Sequence, residues 1–151
     1  MKKTLIIGFI FIILGFITGR ILYDKVSDSQ FVFKNTNNTY YFLQEGVYSN
    51  EDIMNENTKK ISNKLITKSD NKYYVYLGIT KNIDIAKKIE KIYDDKNIDI
   101  YYKEIFINNE EFSNNVDQFD NLINSTNNLD DILTIEEVVL SNYQEIMEKD
   151  K

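Results

Sequence analysis

The sequence predicts an α+β chain: an apolar N-terminal helix, a central β-α-β-β-α-β domain with a four-stranded antiparallel sheet and two helices on one face, and two C-terminal helices. Three observations predict it. One segment is written twice, residues 4–23 form an almost uncharged run, and helical spacing of apolar residues resumes after Ile107. The boundaries that follow are 1–23 for a cytoplasmic tip and membrane helix, 24–39 for a linker, 40–107 for the central domain and 108–151 for a helical extension.

Thr4 to Gly19 contains no charge, and Ile21, Leu22 and Tyr23 continue the apolar run past Arg20. At about 1.5 Å per residue, a helix from Thr4 to Tyr23 reaches roughly the 30 Å of a hydrocarbon core. A cleaved signal peptide is the competing reading, because Lys2 and Lys3 precede the run. The segment from Thr18 to Tyr23 lacks a small-x-small cleavage pattern, which favours an uncleaved anchor. Lys2, Lys3 and the amino terminus on one side, against Arg20 and Lys25 offset by Asp24 and Asp28 on the other, place the N-terminus in the cytoplasm and the domain outside. Gly15 and Gly19 have the Gly-x-x-x-Gly spacing that lets membrane helices approach, a weak pointer to a homodimer. The linker is polar apart from Phe31-Val32-Phe33, which fits either packing on the domain or an added edge strand.

The repeat is the centre of the chain. Shifting Tyr41 to Ile61 forward by 32 positions matches Tyr41 with Tyr73, Leu43 with Val75, Gly46 with Gly78, Val47 with Ile79, Asn50 with Asn82, Asp52 with Asp84 and Ile53 with Ile85. Each copy is an aromatic-rich alternating run, a glycine, a polar cap and a helical pattern. The expected elements are a strand over Tyr40 to Gly46, a helix capped by Ser49 and running to about Lys64 with Ile53 and Ile61 inward, and a strand over Leu65 to Lys68. A turn at Ser69-Asp70-Asn71, a strand over Tyr73 to Gly78, a helix capped by Asn82 and a strand over Ile98 to Ile107 complete the unit. Ile85, Ala86, Ile89, Ile92 and Tyr93 give the second helix the cleaner core stripe. Phe112, Val116, Phe119, Leu122 and Ile123 mark a further helix from about Glu110 to Asn124, and Ile132, Ile135, Val139, Tyr143, Ile146 and Met147 mark a last one ending near Lys149. These two either cover apolar surface of the small domain or bind a partner.

Composition excludes several functions. There is no cysteine and no histidine, so disulfides, thiolate chemistry, sulfur-based zinc sites and the commonest general base are absent. No nucleophile-plus-base arrangement is found among the remaining polar residues, and no enzyme and no cofactor is expected. Three of the chain's 18 cations and none of its 24 acids fall in residues 1–23, so the remainder carries 15 against 24, a charge of -9. Such acidity, with a single arginine inside the apolar segment, argues against nucleic acid as a partner. Asp95 to Asp99 begins like a calcium loop, but Ile100 and Phe106 occupy positions that need glycine and glutamate. Glu110-Glu111 and Glu136-Glu137 sit early in predicted helices, where acids suit the dipole.

Gln44-Glu45-Gly46-Val47-Tyr48-Ser49 in the first copy, and Tyr73-Tyr74-Val75-Tyr76-Leu77-Gly78 followed by Ala86 in the second, resemble the two half-motifs of the SPOR domain. The resemblance covers Tyr40 to Ile107, close to a whole domain of that family, which commonly follows a single-pass anchor. It implies a ferredoxin-like βαββαβ fold and binding of peptidoglycan glycan strands, especially those stripped of stem peptides, on the open sheet face. It implies a role at division, sporulation or wall remodelling. Carried over by position, Gln44 and Val47 come from the first half-motif, and Tyr74 and Tyr76 from the second. The chain departs from the family at Tyr74, where arginine is common, at Ile79, where proline is common, and at Glu45, a position that usually points apolar into the helix side.

Period-two alternation agrees in part. If Leu43, Val75 and Leu77 meet the helices, Phe42, Gln44 and Gly46 with Tyr74, Tyr76 and Gly78 lie opposite. Tyrosine rings cover the C-H faces of sugars, while amide and phenol groups exchange hydrogen bonds with hydroxyl and acetamido groups. The candidate glycan contacts are therefore Phe42, Gln44, Val47, Tyr74 and Tyr76. The other reading keeps the fold without the ligand: a membrane-tethered module that docks division or wall-synthesis proteins. Whether residues 110–149 cover Gln44 and Tyr76 separates the two.

Overall fold

The computed structural model describes residues 38–149. The expected membrane helix over 4–23, Gly15 and Gly19, and Phe31 to Phe33 lie outside the described residues. Among the described residues no helix is long and apolar enough to cross a membrane. The chain runs β1 (Thr39–Tyr48), α1 (Glu51–Asn57), β2 (Leu65–Ser69), β3 (Lys72–Thr80), α2 (Ile83–Asp94), β4 (Tyr101–Phe106), α3 (Glu110–Ser125) and α4 (Leu129–Lys149). The strands form one antiparallel sheet in the order β2-β3-β1-β4, with the repeated strands β1 and β3 paired at its centre. The class is α+β.

Asparagine starts all four helices, and before α4 Asn128 accepts the Asp130 and Asp131 amides at 2.9 and 3.4 Å. Asn50 accepts the Asp52 and Ile53 amides at 2.8 and 3.1 Å, Asn82 accepts Asp84 at 2.8 Å, and Asn109 accepts Phe112 at 2.9 Å. The cap of α1 is thus Asn50, not Ser49, and α1 stops at Asn57 rather than near Lys64. Thr58 ends it by giving both its amide and its hydroxyl to the Met54 carbonyl, at 2.9 and 2.8 Å. Met54 is consequently the buried residue of α1, and Ile53, expected inward, is 54% exposed. Asp70 and Asn71 take φ of 50° and 58° between β2 and β3, two left-handed residues in succession that form a hairpin turn of matching twist. Asn97, at φ 58°, closes the turn after α2, so β4 begins at Tyr101 rather than Ile98.

Simple alternation fails in the middle of the sheet. The β1–β3 register is irregular on both sides of Gln44: Leu43 pairs with Gly78, Gln44 with Tyr76 and Gly46 with Val75. Glu45 and Leu77 are the extra residues of this double bulge. It turns Gly46 and Gly78 to the side of Leu43 and Val75, against the expectation, and places Val47 beside Tyr74 on the side of Gln44 and Tyr76. Glu45 avoids a buried unpaired carboxylate by accepting the Tyr48 hydroxyl at 2.8 and 3.0 Å.

Helices cover both faces, not one. Leu43, Val75 and Leu77 pack with Met54, Ile61 and the α2 stripe Ile85, Ala86, Ile89, Ile92 and Tyr93. On the opposite face Tyr40, Phe42, Leu65, Tyr76 and Ile79 pack with Phe112 and Val116 of α3 and Val139 and Leu140 of α4. The C-terminal helices straddle the sheet, because Ile123, Ile132 and Ile135 belong to the first core. They do so where β2 is too short to flank β3: β2 reaches Tyr76 and leaves the next residues of β3 without a neighbour.

Two carboxylates fill that gap. Glu136 Oε2 accepts the Ile79 amide at 3.0 Å, and Asp120 accepts the Thr80 hydroxyl at 2.7 Å and the Lys81 amide at 3.1 Å. Glu136 is the eighth residue of α4 and is almost wholly buried, whereas the sequence placed it early in a helix as an acid that suits the dipole. Gly78 is what admits it, since a Cβ there would stand 3.0 Å from Glu136 Oε2.

Candidate functional site

The face carrying the sequence-derived residues is divided by α3 and α4. At the covered end Phe42 is fully buried and Tyr76 is 4% exposed. The Phe42 ring stands edge-on to Tyr76 at 5.2 Å and to Tyr143 of α4 at 5.0 Å. Tyr143 also meets Phe112, which meets Tyr40 at 5.2 Å, so four elements contribute to one aromatic cluster. Burial raises the phenol pKa values of Tyr76 and Tyr143. Phe42 and Tyr76 are thus core residues with no surface to offer a ligand, which corrects their expected role. The cause is the C-terminal extension, whose side chains Phe112, Val116, Val139, Leu140 and Tyr143 pack over them.

At the other end the same face is open. Val47 is 42% exposed opposite a half-buried Tyr74, and Gln44 is half-buried between Tyr76 on β3 and Tyr101 on β4. The structure therefore leaves Gln44, Val47 and Tyr74 accessible on this face and buries the adjoining Phe42 and Tyr76. Two residues join them that the sequence did not single out. Tyr101 is 62% exposed, and the Lys103 ammonium lies 5.1 Å from the centre of the Tyr74 ring, reaching from β4 across β1 to β3. Alternation in β4 puts Tyr101, Lys103 and Ile105 on one side, but only the pairing of Phe42 with Lys103 and Gln44 with Tyr101 identifies that side as this face. Thr67, paired with Tyr74, extends the row onto β2.

The open end thus offers two phenol rings, a side-chain amide, a valine and one ammonium, with no carboxylate in the set. On the opposite side of β4, Tyr102 donates its hydroxyl to Glu90 of α2, and this bond together with burial raises its pKa. Among the described residues no group of three or more Asp or Glu side chains is arranged to hold a metal ion. The arrangement suits adsorption of a neutral or weakly anionic chain molecule by ring stacking and hydrogen bonds. No family model, curated protein or solved structure matches this chain.

Proposed function

We propose that this chain is a non-enzymatic, membrane-anchored binder of peptidoglycan glycan strands in a bacterial envelope, with residues 40–107 as a SPOR-like module held outside the cytoplasmic membrane by residues 4–23. The observation that carries the reading is the open end of the sheet, where Gln44, Val47 and Tyr74 stand with Tyr101 and Lys103. The contact set narrows to these five. Tyr74 and Tyr101 stack on sugar rings, Gln44 hydrogen-bonds acetamido groups, and Lys103 is placed to meet the lactyl carboxylate that a strand exposes once its stem peptide is removed. The role follows: concentration of the protein where the wall is being remodelled, at division or sporulation.

The test is co-sedimentation of the detergent-solubilised full chain with purified peptidoglycan, intact and amidase-stripped. The reading expects more chain in the pellet with stripped glycan, and loss of that fraction in a Gln44→Ala, Tyr74→Ala double variant whose circular dichroism is unchanged. Equal recovery of variant and parent, or no pelleting with either material, overturns it.

A second reading has its own observation. β4 is an edge strand, and Tyr101, Tyr102 and Phe106 are exposed on it, the last at 69%. An edge that no strand among the described residues pairs with, flanked by exposed rings, suits a strand supplied by a partner of the division or wall-synthesis machinery. Absence of glycan binding, with the edge intact, moves the function there.

A further inference from the structure

We infer that α3 and α4 are clamped to the sheet by a proton-dependent seam, so that the C-terminal pair loosens from β3 as the pH rises. The geometry is a substitution of side chains for a strand. Ile79 and Lys81 are two residues apart, so their amides point to the same edge of β3, the edge that β2 leaves bare. Glu136 of α4 takes the first amide and Asp120 of α3 takes the second, together with the Thr80 hydroxyl. These bonds continue the ladder, and they sit where both apolar cores meet the C-terminal helices.

The seam is short of positive charge. The titratable or charged groups facing these two carboxyls are Asp117 from α3, Lys81 after β3, Tyr40 from β1 and Tyr93 from α2. Lys81 alone is cationic, and its ammonium is already held by Asp117 at 3.0 Å and by the Ser113 carbonyl and hydroxyl. Glu136 Oε1 is buried with no hydrogen-bond partner. An ionised Glu136 would leave a charge on that oxygen in an apolar site, so the docked helix favours the protonated acid. Burial, opposed by the hydrogen bonds each accepts and aided by a neighbouring acid, pushes Asp120 up to about 7 and Glu136 well above the usual carboxylate range. The docked state keeps protons that an undocked chain releases at about pH 4. Raising the pH from there weakens docking, by up to about tenfold in the opening equilibrium per pH unit for each carboxyl still protonated. Opening would bare Phe42 and Tyr76, lengthening the aromatic face. The seam itself does not depend on what that face binds.

The test is amide hydrogen exchange of the detergent-solubilised full chain at about pH 5 and about pH 9, corrected for the intrinsic base-catalysed rate. The inference expects residues 112–147 to gain exchange at the higher pH more than α2 does, by at least about tenfold. Glu136→Gln keeps an acceptor for the Ile79 amide, and it and Asp120→Asn should each reduce the gain, while the exposed neighbour Glu137→Gln leaves it intact. No corrected gain, an equal gain in α2, or an undiminished gain in both seam variants overturns the inference.

Discussion

Tyr74 and Tyr76 stand two residues apart on β3 and face the same side of the sheet, yet one borders open surface beneath an ammonium and the other is sealed among Phe42, Leu65 and Tyr143. Their local sequences do not distinguish them, since both are tyrosines flanked by apolar residues in one strand. What separates them is depth of packing: Tyr76 is a buried member of the cluster that Val139, Leu140 and Tyr143 of α4 join, and Tyr74 is a partly buried residue at its margin. The lesson is that an aromatic strand face records a need for rings and not the use they are put to. Packing against a helix and stacking on a sugar draw on the same chemistry.

That comparison can be broken most forcefully at the covered end. Phe42→Ala removes a fully buried ring with two edge-on partners and should destabilise the fold by about 3–5 kcal/mol, read by urea unfolding. A cost below about 1 kcal/mol would mean that α4 is not docked as described. Gly78→Ala tests the seam from the strand side. Its new methyl would stand 3.0 Å from Glu136 Oε2, for an expected loss of about 1–3 kcal/mol by the same assay. A smaller loss in Gly78→Ala combined with Glu136→Ala than in Gly78→Ala alone would show that the clash is with this side chain.

At the open end the signs invert. Tyr74→Ala should cost about 1 kcal/mol or less of stability, the usual range for a half-exposed side chain, while removing most of the glycan-pelleted fraction. Loss of fold without loss of pelleting would place Tyr74 with Tyr76 as core. Lys103→Gln is the mildest change: the exposed ammonium over the Tyr74 ring contributes about 0.5–1 kcal/mol, and its removal should weaken binding of stripped glycan more than that of intact glycan. The two materials compared in one pelleting series report that difference directly.

Much of the architecture was legible because local chemistry and global fold agree. Asn82, the Ile85 to Tyr93 stripe and the Asp70-Asn71 turn each specify an element through their own backbone or periodicity, and each is found where the sequence places it. The 32-residue repeat survives as two adjacent central strands. The failures are non-local. A double bulge at Glu45 and Leu77 leaves no mark on an alternating pattern, yet it changes the side on which Gly46 and Gly78 lie. Met54 rather than Ile53 is buried in α1, which stops at Thr58, a residue that gives both its amide and its hydroxyl to the Met54 carbonyl. Glu136 read as an acid suited to the dipole of its helix, and only the gap beside β3 shows what it is for. Of the candidate site, three residues share the open surface and two do not. Nothing within residues 40–107 could say so, because the deciding side chains lie beyond Glu110.

Among the described residues no strand pairs with the outer edge of β4, which has one further consequence, for how copies of the chain meet. Two-fold antiparallel pairing of β4 with itself keeps each face on its own side, so only residues of like parity can oppose one another. Of the two registers centred on the strand, one sets Lys103 against Lys103 and the other sets Glu104 against Glu104. The strand that is most available for templated growth of a sheet is therefore the one whose middle repels its own image, which works against aggregation through a surface rich in exposed rings.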